Sequence, residues 1–145
     1  MQNYLTMANF TISIKCDFYD LWRYNIVVMA SVMSEGKQVE VLKQCSEIAP
    51  IGAELQTPPD GYDPNRNILL STMEADELTL YIYIIPHTLP SEQIVRFAPP
   101  FELDVKVKHG ARIAFKHRYM INQWSGENIT ANISAPRKEQ TTPTI

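Results

Sequence analysis

The stretch Phe101-Glu-Leu-Asp-Val-Lys-Val-Lys-His-Gly-Ala-Arg-Ile-Ala-Phe-Lys-His-Arg-Tyr-Met-Ile121 decides the fold class, because it tests its own pairing. Apolar and polar residues alternate on both sides of His109-Gly110, the pattern of two half-buried strands joined by a tight turn. A turn at His109-Gly110 places Val107 opposite Arg112 and mixes the two faces. A three-residue loop, His109 to Ala111, removes that conflict. Phe101 then faces Tyr119, Leu103 faces His117, Val105 faces Phe115 and Val107 faces Ile113, while Glu102 meets Arg118 and Asp104 meets Lys116 on the other face. Apolar pairs on one side and opposite charges on the other are what a hairpin with one wet face requires. Only Lys108 opposite Arg112 is unfavourable, and it lies beside the loop.

The same period continues outward. Phe10, Ile12, Ile14, Cys16 and Phe18 share one face of a strand over Asn9–Phe18. Tyr24–Met33 is β-branched and reads as a strand, with a short buried helix as the alternative. Gly36–Cys45 follows the Glu35-Gly36 turn, and shorter strands are expected at Ile68–Thr72, Leu78–Ile85, Gln93–Phe97 and Asn128–Ser134. Ala49–Asn67, dense in Pro, Gly, Asp and Asn, reads as a long loop. About seven or eight short strands without a persuasive amphipathic helix predict a single antiparallel β-sandwich, jelly-roll or immunoglobulin-like; periodicity does not separate the two. The expected organisation is a polar arm at residues 1–9, the sandwich at 10–134 and a tail at 135–145.

Composition bounds the function. The chain has 145 residues, 45% hydrophobic and 20% charged, which suits one globular domain. A formal net charge of −3 gives no bulk field for nucleic acid or anionic membrane. The basic cluster Lys106, Lys108, Arg112, Lys116 and Arg118 reads as a salt-bridged, solvated strand face, since Glu102 and Asp104 are set against two of its members. The longest apolar run, Tyr24–Met33, is too short to cross a bilayer, which needs about 20 residues. The segment before it alternates and carries Asp17 and Asp20, unlike a leader. Cys16 and Cys45 have no pairing or zinc-ligand spacing and are expected to be free thiols, with Cys16 buried.

Catalytic and cofactor signals are absent from the spacing. His117 falls on the apolar face as a core histidine, His109 in the turn, and His87 on a corner between Pro86 and Pro90; none has a carboxylate or second histidine at ligand spacing. Asp17 and Asp20, Asp60 and Asp63, and Glu74, Asp76 and Glu77 would bind calcium only if their loops converged, and no EF-hand spacing supports that. Trp124-Ser-Gly-Glu-Asn128 is a turn, not a nucleophile elbow. No enzyme and no cofactor are therefore expected.

Contact surfaces are the remaining candidates. In Leu78–Ile85 the residues Leu80, Ile82 and Ile84 form the core face. Tyr81, Tyr83 and Ile85 form a second face too apolar for bare water, and tyrosines of that kind suit an interface. Tyr62, Trp124, Pro136 and Pro143 complete the expected contact set. The tail has no apolar face of its own, so a neighbour would have to order it. The expected function is a structural subunit of a large assembly docking onto other protein subunits, most specifically a virus or phage particle component such as a capsid-decorating, neck or tail-ring protein. Its location would be the virion, or otherwise the cytoplasm. The alternative is a surface or periplasmic sandwich that binds a protein or carbohydrate through an aromatic platform of Tyr62, Trp22 and Trp124.

Overall fold

The computed structural model describes residues 8–63, 66–88 and 97–136. Eight strands are formed: β1 (Ala8–Cys16), β2 (Tyr24–Ser34), β3 (Lys37–Ser46), β4 (Arg66–Ala75), β5 (Glu77–Pro86), β6 (Phe101–His109), β7 (Arg112–Ile121) and β8 (Asn128–Ser134). They make two antiparallel four-stranded sheets, β4-β1-β6-β7 and β3-β2-β5-β8, packed as a β-sandwich. This is not the ABED/CFG order of a constant-type immunoglobulin domain. The expected strand at Gln93–Phe97 lies outside the described residues except for Phe97, which is exposed and in no strand. Phe18 also leaves its strand: β1 stops at Cys16, and the Phe18 ring stacks on Phe101 at 4.5 Å between centroids.

The core forms because the inward residues of both sheets are β-branched or aliphatic at period two. Phe10, Ile12, Ile14, Leu103, Val105 and Val107 come from one sheet, and Ile26, Val28, Val32, Leu80, Ile82 and Ile84 from the other. Between the sheets the chain turns sharply at Asp76, which alone separates β4 from β5. Its backbone N–H donates to the Met33 carbonyl (3.1 Å), its carbonyl accepts from Ala135 (2.8 Å), and its carboxylate accepts from the Glu35 N–H (3.1 Å). One corner thus ties the β2–β3 turn to the end of β8.

The β6–β7 hairpin departs from the expected register by two residues. Phe101 pairs with Ile121, Leu103 with Tyr119, Val105 with His117 and Val107 with Phe115. A two-residue turn, Gly110-Ala111, replaces the three-residue loop, so His109 pairs with Arg112. Gly110 takes φ +59°, the left-handed conformation that the first central position of a type II′ turn needs. That turn alone would put every later pair out of phase by one. A bulge supplies the missing residue, since the register steps between Val107↔Phe115 and Lys108↔Ile113 and leaves Ala114 over. Pro99 and Pro100 precede β6 and cannot donate to a ladder, so the longer pairing is what seats Ile121 on Phe101, where it is 2% exposed.

The Glu35-Gly36 turn has positive φ at both residues, 52° and 77°, the type I′ geometry that favours Asn-Gly. Replacing Glu35 by Asn is expected to raise unfolding free energy by about 0.5–1 kcal/mol, read from urea denaturation. An unchanged or lower value would contradict this account of the turn.

Candidate functional site

Two outer faces, one on each sheet, hold the features that could act on something else. On the outer face of β3-β2-β5-β8, cross-strand rows run Cys45–Val27–Tyr83–Asn128 and Lys43–Met29–Tyr81–Thr130. Tyr81, Tyr83, Ile85, Val27 and Met29 are half-buried, and Val39 and Val41 are 40% and 53% exposed. An antiparallel sheet turned to water normally shows polar residues there. Here the centre is apolar and the margin polar (Ser31, Thr79, Asn128, Thr130, Asn132), with Lys43 as the one charge among these rows.

The second feature lies on the outer face of β4-β1-β6-β7. A half-open cavity of about 700 Å³ is lined by Ser13, Lys15, Asp104, Val105, Lys106, Lys116, His117 and Arg118. The hairpin register decides its charge. Asp104 lies opposite Arg118, whose Nε donates to Asp104 Oδ1 at 2.7 Å, and Glu102 approaches the same guanidinium at 3.7 Å. This hydrogen bond, together with both carboxylates, raises the Arg118 pKa further above its ordinary value. Lys106 is then left directly opposite Lys116. Of the two expected pairs, Glu102–Arg118 forms, although diagonally because Glu102 lies opposite Met120, whereas Asp104–Lys116 is corrected: both acids serve one arginine, and Lys15, Lys106 and Lys116 have no ion pair among the described residues. A smaller cavity of about 330 Å³ adjoins at Lys15 and Arg118 and is acidic, with Asp17, Glu102 and Asp104 in its wall.

The histidines fall differently from their sequence reading. His117 is exposed, because β7 is an edge strand, and its ring meets Tyr119 edge-on at 4.3 Å. His109 is the last residue of β6 rather than part of the turn: it is 3% exposed, donates from Nε2 to the Ala75 carbonyl (2.8 Å) and packs on Phe10. His87 does more than ride on a corner. At 1% exposure its Nε2 donates to the Trp22 carbonyl (2.6 Å), while Nδ1 accepts from the Thr88 hydroxyl (2.7 Å). Its backbone N–H donates to Arg23 and its carbonyl accepts from Gly52. His87 thus pins β5, the 3-10 helix Tyr19–Arg23 and the loop after β3 together. Asn25 anchors the same loop through Ile48 and Ala49.

The other candidates scatter. Trp22 is 2% exposed, so it cannot belong to an exposed aromatic platform. Trp124, at φ +67°, packs on Tyr24 at 5.4 Å, and the Arg23 guanidinium sits 5.0 Å from the Trp22 ring and 5.7 Å from that of Trp124. Burial pushes the Tyr24 phenol well up, so the hydroxyl stays protonated and donates to Gln123 at 3.1 Å. Tyr62 is half-buried in the long loop, Pro136 is half-buried just past β8, and Pro143 lies outside the described residues. Cys16 is buried and Cys45 exposed, both as free thiols. Among the described residues no three His, Cys, Asp or Glu side chains converge as metal ligands, and no helix is long and apolar enough to cross a membrane.

Comparison with known proteins adds little. No family model and no curated protein matches the chain. A solved structure, a DUF4425 family protein from Bacteroides ovatus, superposes with a TM-score of 0.40 at 9% identity over 90% of this chain and 95% of that one.

The sequence missed Ser13, Lys15, Lys106 and Lys116 as one group. The available signal was Gly110-Ala111 as a two-residue turn of Gly-X type. Replacing His87 by Ala is expected to cost about 2–4 kcal/mol of stability, since it orphans two buried partners and leaves a cavity. The exposed His117→Ala should stay within about 0.5 kcal/mol. Chemical denaturation checks the contrast, and equal effects would contradict these placements.

Proposed function

We propose that this protein is a non-enzymatic subunit that assembles by laying the outer face of β3-β2-β5-β8 on the same face of a second copy. The observation that carries the reading is the apolar centre Val27, Met29, Tyr81 and Tyr83 on a sheet face with no covering element among the described residues. Each tyrosine is half-buried, and neither hydroxyl has a hydrogen-bond partner among the described residues, so both are available across a contact. Face-to-face stacking of a sheet with its own copy is isologous, and it works only if the face does not repel itself. With Lys43 as the single charge in the central rows, two copies meet almost without like-charge opposition. The polar margin matches the rim of a docking surface.

The wider form of the proposal is a subunit of a large assembly such as a viral particle, which requires contacts beyond the stacked pair. Ile85 continues the face of Tyr81 and Tyr83 along β5, and Pro136 follows the end of β8; these are the residues expected to make the further contacts. The loop-binding alternative is weaker because its aromatic platform loses Trp22 to the interior.

Sedimentation of the purified chain between about 1 and 100 μM checks the proposal. A concentration-dependent dimer or larger species is expected, with association weakened at least tenfold by Tyr81→Thr combined with Tyr83→Thr while the circular dichroism stays that of a β-protein. A wild-type chain that is monomeric throughout, or a double variant that associates as tightly as wild type, would overturn it.

A further inference from the structure

We infer that the cavity on the outer face of β4-β1-β6-β7 is a binding site for a small molecule carrying phosphate or sulfate groups. Its wall holds four cations, Lys15, Lys106, Lys116 and Arg118, against the single carboxylate of Asp104. That carboxylate is already engaged at 2.7 Å by Arg118. The excess is not a by-product of a basic protein, because the chain as a whole is formally −3.

The arrangement opposes the stability of the empty protein. Lys106 and Lys116 face each other across the β6–β7 ladder, a placement that costs stability without a counter-charge. On the neighbouring strand Lys106 pairs with Ser13, whose hydroxyl is a ready donor to an oxyanion. Lys15 stands two residues along the same strand. An anion seated over Ser13 would touch the two ammonium groups and the hydroxyl together, converting repulsion into charge-assisted hydrogen bonds. The acidic wall of the adjoining cavity, formed with Asp17 and Glu102, places the negative end of a ligand at the Lys106–Lys116 side.

The size and lining select the ligand class. About 700 Å³ lies in the range of small-molecule sites and far exceeds one inorganic anion. The lining has no Phe, Tyr or Trp on which nucleobases could stack, so a nucleic-acid strand is disfavoured. This face and the tyrosine face lie on opposite sides of the sandwich, so the site is independent of the proposed assembly.

The test is isothermal titration at low salt with pyrophosphate, inositol hexakisphosphate and sucrose octasulfate, backed by thermal unfolding and amide chemical shifts. At least one probe should bind, shifting Ser13, Lys106 and Lys116. Affinity should fall with added salt. Lys106→Met and Lys116→Met should each weaken binding by about tenfold or more. Without ligand, the same two variants should unfold about 1–3 °C higher than wild type. Phosphate and sulfate probes, compared at matched charge, tell which ester is preferred. The inference is overturned if none of the three probes binds. It is equally overturned if binding survives in the Lys106→Met/Lys116→Met double variant, or if a single-stranded oligonucleotide binds more tightly than every small probe.

Discussion

The pairing of β6 with β7 is governed by a mismatch of one residue. A Gly-Ala turn sets the strands off in a phase that would bury charges, and the bulge at Ala114 restores it. The mismatch is resolved toward the longer pairing because Ile121 can then be buried on Phe101, a gain of apolar contact that outweighs a disturbed ladder step. On the inner side the consequence is modest, since aliphatic and aromatic residues still meet across the hairpin. On the outer side it is large. Moving the partner by two residues takes Asp104 from Lys116 to Arg118 and sets Lys106 against Lys116.

Much of the molecule is built to hold these two sheets in place without any part in binding. Asp76 joins the sheets at one end through three backbone contacts, and His87 with Asn25 pins the long loop at the other. His87 and Asn25 are buried and Asp76 half-buried, and the partners of all three are nearly all backbone atoms, which is how a small sandwich fixes its corners. The outer faces are then left with residues that the fold itself does not need. A like-charge row and an apolar patch facing water both reduce the stability of the isolated chain. Features of that kind are expected where a partner or ligand supplies the missing contact.

The sandwich was legible because period-two alternation is strong in β1, β5, β6 and β8, where burial follows the sequence pattern, while β2 was marked as a strand only by its β-branched residues. The division of Leu78–Ile85 into a core face and a tyrosine face was readable for the same reason. Strand order was not, because it depends on contacts such as β1 with β6 that leave no local mark. The histidines were misplaced because phase alone does not say whether a neighbouring sheet extends far enough to cover a side chain. His117 has the right phase on an edge strand and stays exposed; His109 continues the buried phase of β6, which a turn starting at His109 hid; and His87 lies past the alternation of β5 and is buried by tertiary hydrogen bonds. The charge pattern of the cavity was hidden by the bulge, which inserts a residue that alternation cannot reveal.

The central claim is therefore the hairpin register, and cross-strand nuclear Overhauser effects read it directly. The account predicts contacts of Lys106 with Lys116 and of Asp104 with Arg118, together with Phe101 against Ile121. Contacts of Asp104 with Lys116 and Phe101 with Tyr119 as the directly opposed pairs would contradict it. They would return an acid to the lysine and remove the cationic cavity.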